Sequence, residues 1–246
     1  MSVSYQTDDE LQPDDSENDS APAMRPPVPV YTTVLIAAIG VVALVQFGTG
    51  LDASVTAAGF VKPVFFNDHE YWRILTGATL HGSVAHILMN SYAFYSFGKI
   101  FEMLTNRAHL AIVFLLSALG GGVLSLIFAP DGTSVGASGG ILGLVSYLAV
   151  YAFRRRQFVS HEFRKSLLIN IGFILVFGLV LYRIIDNYGH IGGLIVGAVY
   201  GVVQIPSDQY VDPRTAAPAV EAAGLASLGI FIAACSFSVL LILRII

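Results

Sequence analysis

Charged side chains are scarce in this 246-residue chain. Asp, Glu, Lys and Arg make up only 12% of it, against about 25% in an average soluble domain. More than half of the residues are apolar and the mean hydropathy is +0.70, which excludes an ordinary soluble globular protein. Cysteine is almost missing. The single Cys235 lies in an apolar run, so no intramolecular disulfide forms and the redox compartment is left open. Basic excess is missing too: the net charge is -4, and nucleic acid is not expected as a partner. The acids are concentrated in Asp8, Asp9, Glu10, Asp14, Asp15, Glu17 and Asp19, among few residues able to build a core. Residues 1–29 therefore read as a disordered acidic cytoplasmic tail. An acidic start argues against a mitochondrial transit peptide. A late, long first apolar run without a preceding basic region argues against a secretory signal.

What is present is a series of seven apolar segments: about 31–48, from His81 to about 101, 110–129, 138–153, 167–185, 189–205 and 223–243. Pro130-Asp131-Gly132 marks a turn after the third, and Arg154-Arg155-Arg156 ends the fourth. A bilayer-crossing helix needs roughly 20 residues. The fourth and sixth segments have only 16 and 17, which suits recessed ends and a wet cavity between them. Ser138 opens the one and His190 opens the other. Polar groups at such depth are costly and point to function.

Lysine and arginine placement gives the orientation. With the N-terminus inside, nine of these residues fall on the cytoplasmic side and four outside. Segments two, four and six then run inward, bringing His86, Ser138 and His190 towards the same outer side. The outer connection at 49–80 is rich in aromatics, including Phe60, Phe65, Phe66, Tyr71 and Trp72, and reads as a loop partly embedded in the outer leaflet.

Gly136-Ala137-Ser138-Gly139-Gly140 fits the G-x-S-x-G nucleophile pattern, but that pattern needs a strand and a soluble α/β sheet around it. Here a loop feeds a membrane helix. What survives is a serine at a helix N-terminus, where free N–H groups and the dipole could stabilise an oxyanion. Small residues with serine are also ordinary packing elements in membrane helices. Gly189, Gly193, Gly197 and Gly201 recur every four residues after His190, and Gly139 and Gly143 offer a matching surface. If those faces meet, Ser138 and His190 come within hydrogen-bonding reach. A histidine that merely caps a helix is the alternative. His81, His86 and Asn90 are spaced His-x4-His-x3-Asn, with His86 and Asn90 one helical turn apart on one face. Both can donate hydrogen bonds to an oxyanion. A metal site is the competing reading. No Cys or second i,i+4 His completes a ligand set, so neither a metal nor a cofactor is expected.

Together these residues resemble the rhomboid family of intramembrane serine proteases. The matching pieces are Tyr71-Trp72-Arg73-Ile74-Leu75-Thr76, the run from His81 to Asn90, Glu102, Gly136-Ala137-Ser138-Gly139 and His190-Ile191-Gly192-Gly193 with Gly197. They occur in the family's order over about 31–205. The resemblance implies an all-α integral membrane protein, a six-helix rhomboid-like core at 30–205. A cytoplasmic linker at 206–222 and a seventh transmembrane helix at 223–246 complete the expected layout. It implies a Ser138–His190 dyad, an oxyanion site from His86, Asn90 and the Ser138 backbone, and structural roles for Trp72, Arg73 and Glu102. Leu142 departs from the pattern, since many members carry there an aromatic residue that packs on the catalytic histidine. Asp186 lies one turn before His190 but is placed in the loop and left out of the site.

The implied activity is endopeptidase cleavage of transmembrane segments of single-span proteins near the outer face. Transmembrane protein substrates and membrane lipids are the partners. The setting is a multi-pass position in a cytoplasmic or plasma membrane, with the N-terminus cytoplasmic. A rhomboid-like binder of membrane helices without proteolysis is the alternative. A transporter would predict repeats between the chain halves, and none is seen beyond isolated glycines.

Overall fold

In the computed structural model the described residues are 28–182, 184–208 and 210–245. Nearly all of the expected acidic tail lies outside them, as do Arg25 and Arg183 of the orientation count. The chain is an all-α membrane protein. Helix α1 covers Val30–Thr49. The first connection then holds α2 (Leu51–Ala58), a two-residue strand β1 (Phe60–Val61), α3 (Lys62–Asn67), α4 (Arg73–Thr76) and a 3₁₀ turn at Gly77–Thr79. Five long helices follow, with a second short strand among them: α5 (Val84–Leu104), α6 (Arg107–Phe128), β2 (Thr133–Ser134), α7 (Ser138–Arg154), α8 (His161–Val180) and α9 (Asn187–Gln204). The last is α10, Pro218–Ile242. On length and composition α1, α6, α8 and α10 can each cross a bilayer, while α7 is apolar but has only 17 residues.

Side-chain caps set several helix starts. Ser83 accepts from the His86 N–H at the head of α5, Asn106 from Ala108 N–H at α6, and Ser160 from Phe163 N–H at α8. The Ser160 cap explains why α8 begins six residues before the apolar run expected at 167–185. The polar turn His161–Lys165 is helical although it adds no apolar surface. Pro218 sits in the first turn of α10, where its missing N–H costs no intrahelical bond, so that helix also starts ahead of its apolar stretch.

Helix α6 is the central post, packed by α7, α9 and α10. Its buried Phe114 stacks on Phe94 of α5 at 4.6 Å and meets Phe231 of α10 edge-on at 4.9 Å. α9 lies against both α6 and α7 along its glycines. A Cβ on Gly193 would collide with the Gly139 carbonyl, one on Gly197 with the Gly143 carbonyl, and one on Gly192 would stand 2.5 Å from the Gly120 carbonyl. The glycine faces expected to meet do meet, backbone to backbone. α8 is different. It touches chiefly α7, and among its residues only Leu167 and Gly178 are buried.

The first connection is more ordered than a loop. β1 pairs antiparallel with β2, Phe60 opposite Ser134 and Val61 opposite Thr133. Arg73 is buried at its centre: its guanidinium donates to the carbonyls of Thr56 (3.1 Å) and Gly59 (2.8 Å) and to Glu70 at 2.5 Å. It also lies over the Trp72 ring, 4.7 Å from the centroid. At the other end of the bundle the Glu102 carboxylate of α5 accepts the backbone N–H and the hydroxyl of Thr32, each at 2.7 Å, and so caps α1.

Candidate active site

Ser138 is the first residue of α7 and His190 lies in the first turn of α9. With α7 and α9 in glycine contact, these two ends are held side by side. Ser138 Oγ and His190 Nε2 are 2.9 Å apart. For the hydroxyl to donate to Nε2, the neutral ring carries its proton on Nδ1. Among the described residues that buried Nδ1 has no hydrogen-bond partner, and none of their carboxylates completes a triad. Ser138 is half-buried and His190 buried, beside a cavity of about 50 Å³ that both line.

The approach to Ser138 is shaped by Gly136, whose φ of +126° is in the region that favours glycine. Its N–H donates to the Gly77 carbonyl at 2.9 Å, fastening this loop to the 3₁₀ turn. A Cβ at Gly136 would lie 2.8 Å from His86 Cε1 and 3.5 Å from Asn90 Nδ2. His86 and Asn90, one turn apart on α5, thus flank the loop that presents Ser138. The Gly82 N–H approaches His86 Nδ1 at 3.4 Å, which leaves the ring proton on Nε2, the nitrogen nearer Gly136. Asn90 Nδ2 is buried and has no hydrogen-bond partner among the described residues. The first N–H groups of α7 lack intrahelical acceptors and add to this set. His81, the third member of that spacing, is buried behind His86, its ring edge-on at 5.0 Å.

Trp72, Arg73 and Glu102 stand away from the Ser138–His190 pair, the first two in the connection and Glu102 near the bundle's other end. Leu142 is buried on α7 one turn beyond Ser138. Among the described residues no group of three or more His, Cys, Asp or Glu side chains could hold a metal ion.

Sequence reasoning missed the serines around Asp186. Asp186 caps α9: Oδ1 accepts the Gly189 N–H at 3.0 Å. Its Oδ2 accepts the hydroxyls of Ser134 (2.5 Å) and Ser125. Burial alone would raise this carboxyl, but those three donors and the charge of Lys62 outweigh it and hold it below the usual carboxylate range. Only the aspartate preceding a histidine helix signalled it; both serines sit in stretches that look like packing.

The geometry agrees with the comparisons. A Rhomboid domain model matches residues 68–207, which contain Ser138, His190, His86 and Asn90. Similar proteins include the Rhomboid protease GluP of Bacillus subtilis (strain 168), 31% identical over 150 residues, 61% of this chain and 29% of that protein. RHOMBOID-like protein 6, mitochondrial, of Arabidopsis thaliana is 30% identical over 143 residues, 57% of this chain and 46% of that one. Inactive rhomboid protein 1 of Bos taurus is 30% identical over 139 residues, 56% of this chain and 16% of that protein. The chain thus spans less than half the length of these curated relatives. The domain match covers more than half of the chain and contains both the serine and the histidine brought together at the helix ends, and the chain belongs to the rhomboid family.

Proposed function

We propose that this protein is an intramembrane serine endopeptidase that cleaves transmembrane segments of single-span membrane proteins near the outer face. The observation that carries the reading is the 2.9 Å approach of Ser138 Oγ to His190 Nε2. His190 takes the hydroxyl proton as Ser138 Oγ attacks a peptide carbonyl. The electron pair of the carbonyl moves onto oxygen, where His86 Nε2–H, the Asn90 amide and the N–H groups opening α7 receive it. Collapse of this intermediate breaks the C–N bond, and His190 gives its proton to the leaving amine. Water then hydrolyses the acyl-enzyme by the same steps in reverse order.

A substrate helix is protected by its own hydrogen bonds in lipid, so residues that destabilise it help cleavage. The sparse packing of α8 favours sideways entry past that helix. Trp72 and Arg73 organise the first connection, Glu102 anchors α1, and the N-terminus faces the cytoplasm of a cytoplasmic or plasma membrane, in contact with its lipids. A second reading is a helix-binding rhomboid without proteolysis, favoured by the inactive relative among the matches. The presence of both Ser138 and His190 weighs against it.

Wild type, Ser138→Ala and His190→Ala are to be incubated in liposomes with a single-span substrate and the products weighed. The proposal expects cleavage by wild type only. Cutting that persists in Ser138→Ala removes the serine mechanism, and a wild type that binds the substrate but never cuts supports the second reading.

A further inference from the structure

Asp186 is not a third member of the dyad, yet it touches both of the segments that carry it. Its Oδ1 receives the N–H of Gly189, the residue directly before His190. Its Oδ2 receives the hydroxyl of Ser134 on β2, four residues before Ser138. The same oxygen takes the hydroxyl of Ser125, near the end of α6 and fully buried. One carboxylate therefore ties the start of α9, the strand leading to the nucleophile and the central helix. The first connection joins as well. Lys62 is buried to 1% exposure, its N–H donates to the Gly132 carbonyl at 3.2 Å, and its charge acts on Asp186. β2 is itself paired to β1, whose last residue, Val61, directly precedes Lys62.

From this arrangement, and resting on the reading of Ser138 and His190 as the dyad, we propose that Asp186 is a positioning residue. It sets the register of the Ser138 loop against the head of α9, with Ser134 as its arm to the nucleophile and Ser125 as its anchor. Three donors on one fixed acceptor locate it more tightly than any one bond could, because each limits a different rotation. Small displacements of reacting groups are costly to rate, so a loosened clamp lowers the chemical step more than substrate capture. The negative charge also lies close enough to be felt by the imidazolium that forms during the reaction, without bonding to it.

The test compares wild type, Asp186→Asn, Ser134→Ala and Ser134→Thr in liposomes. The active fraction is counted with a serine-directed fluorophosphonate, so that kcat is expressed per labelled site. The expected result for Asp186→Asn and Ser134→Ala is a kcat lower by about tenfold or more, with KM within about twofold of wild type. Ser134→Thr, which restores the hydroxyl, recovers most of the loss. The double variant Asp186→Asn/Ser134→Ala is no worse than the poorer single one, because both break the same link. A purely structural role would lower the labelled fraction and leave kcat per labelled site at the wild-type value, and that result overturns the proposal. If wild type neither labels nor cuts, the dyad reading itself fails and takes this inference with it; a wild type that labels and cuts beside unaffected variants refutes the inference alone.

Discussion

The hydroxyls of Thr79 and Ser238 lie 2.9 Å apart and both are fully buried, although 159 positions separate them. Thr79 closes the first connection and Ser238 belongs to α10. Beside them Trp72 meets Phe237 edge-on at 5.3 Å. α10 is thereby fixed to the connection that supports the Ser138 loop through Gly77. It is part of the scaffold under the site.

Ser238→Ala leaves Thr79 without that partner, while Thr79 keeps its bond to the Thr76 carbonyl. The expected cost is about 1 kcal/mol of stability, seen as a lower thermal midpoint in detergent. Phe237→Ala provides a local readout because Trp72 is the only tryptophan. Its emission is expected to move to longer wavelength in that variant. Unchanged emission would mean that the Trp72–Phe237 contact does not persist in solution.

Gly136→Ala meets two obstacles at once, a positive φ and the His86 ring. Cleavage is expected to fall by about a hundredfold or more, since displacement of the Ser138 loop or of His86 spoils the alignment of reacting groups. Gly172→Ala on α8, where nothing lies within 4 Å, serves as control. It is expected to keep wild-type cleavage and to gain up to about 1 kcal/mol in helix stability. Equal kinetics in the two variants would contradict the tight approach of His86.

Lys62 gives a pH dependence. Burial lowers its amine below the ordinary 10.5, and the attraction of Asp186 opposes this only in part. Between the lowered folded value and 10.5 the unfolded chain still holds the proton that the folded chain has released. Stability from this group therefore rises with pH across that interval. Lys62→Met is expected to flatten that rise in a series of thermal midpoints. Parallel curves for variant and wild type would show that Lys62 is not desolvated in the folded protein.

Long-range order was legible where chemistry and periodicity coincide. Runs of apolar residues gave away the helices. The two short segments opening with Ser138 and His190, together with glycines at every fourth position, anticipated that those helix heads would meet. The β1–β2 pairing was not legible, because two residues carry no alternation to read. It also changes the view of Ser138. This serine does follow a strand into a helix, but that strand is a two-residue fragment paired with the first connection rather than part of a larger sheet. The start of α8 escaped hydropathy because a cap decides it. Ser125 and Ser134 look like inert small residues in the sequence, and only the fold brings Asp186, 61 and 52 positions away, onto them.

The contact of α7 with α9 has a consequence for how such an enzyme could diversify. Gly139 against Gly193 and Gly143 against Gly197 meet through main-chain atoms, so no side chain there can be exchanged to retune the site. Variation is left to the sparsely packed α8 and to the residues around the first connection. In laboratory selection for new cleavage preferences, accepted substitutions should therefore collect on those elements, while the glycine seam stays frozen.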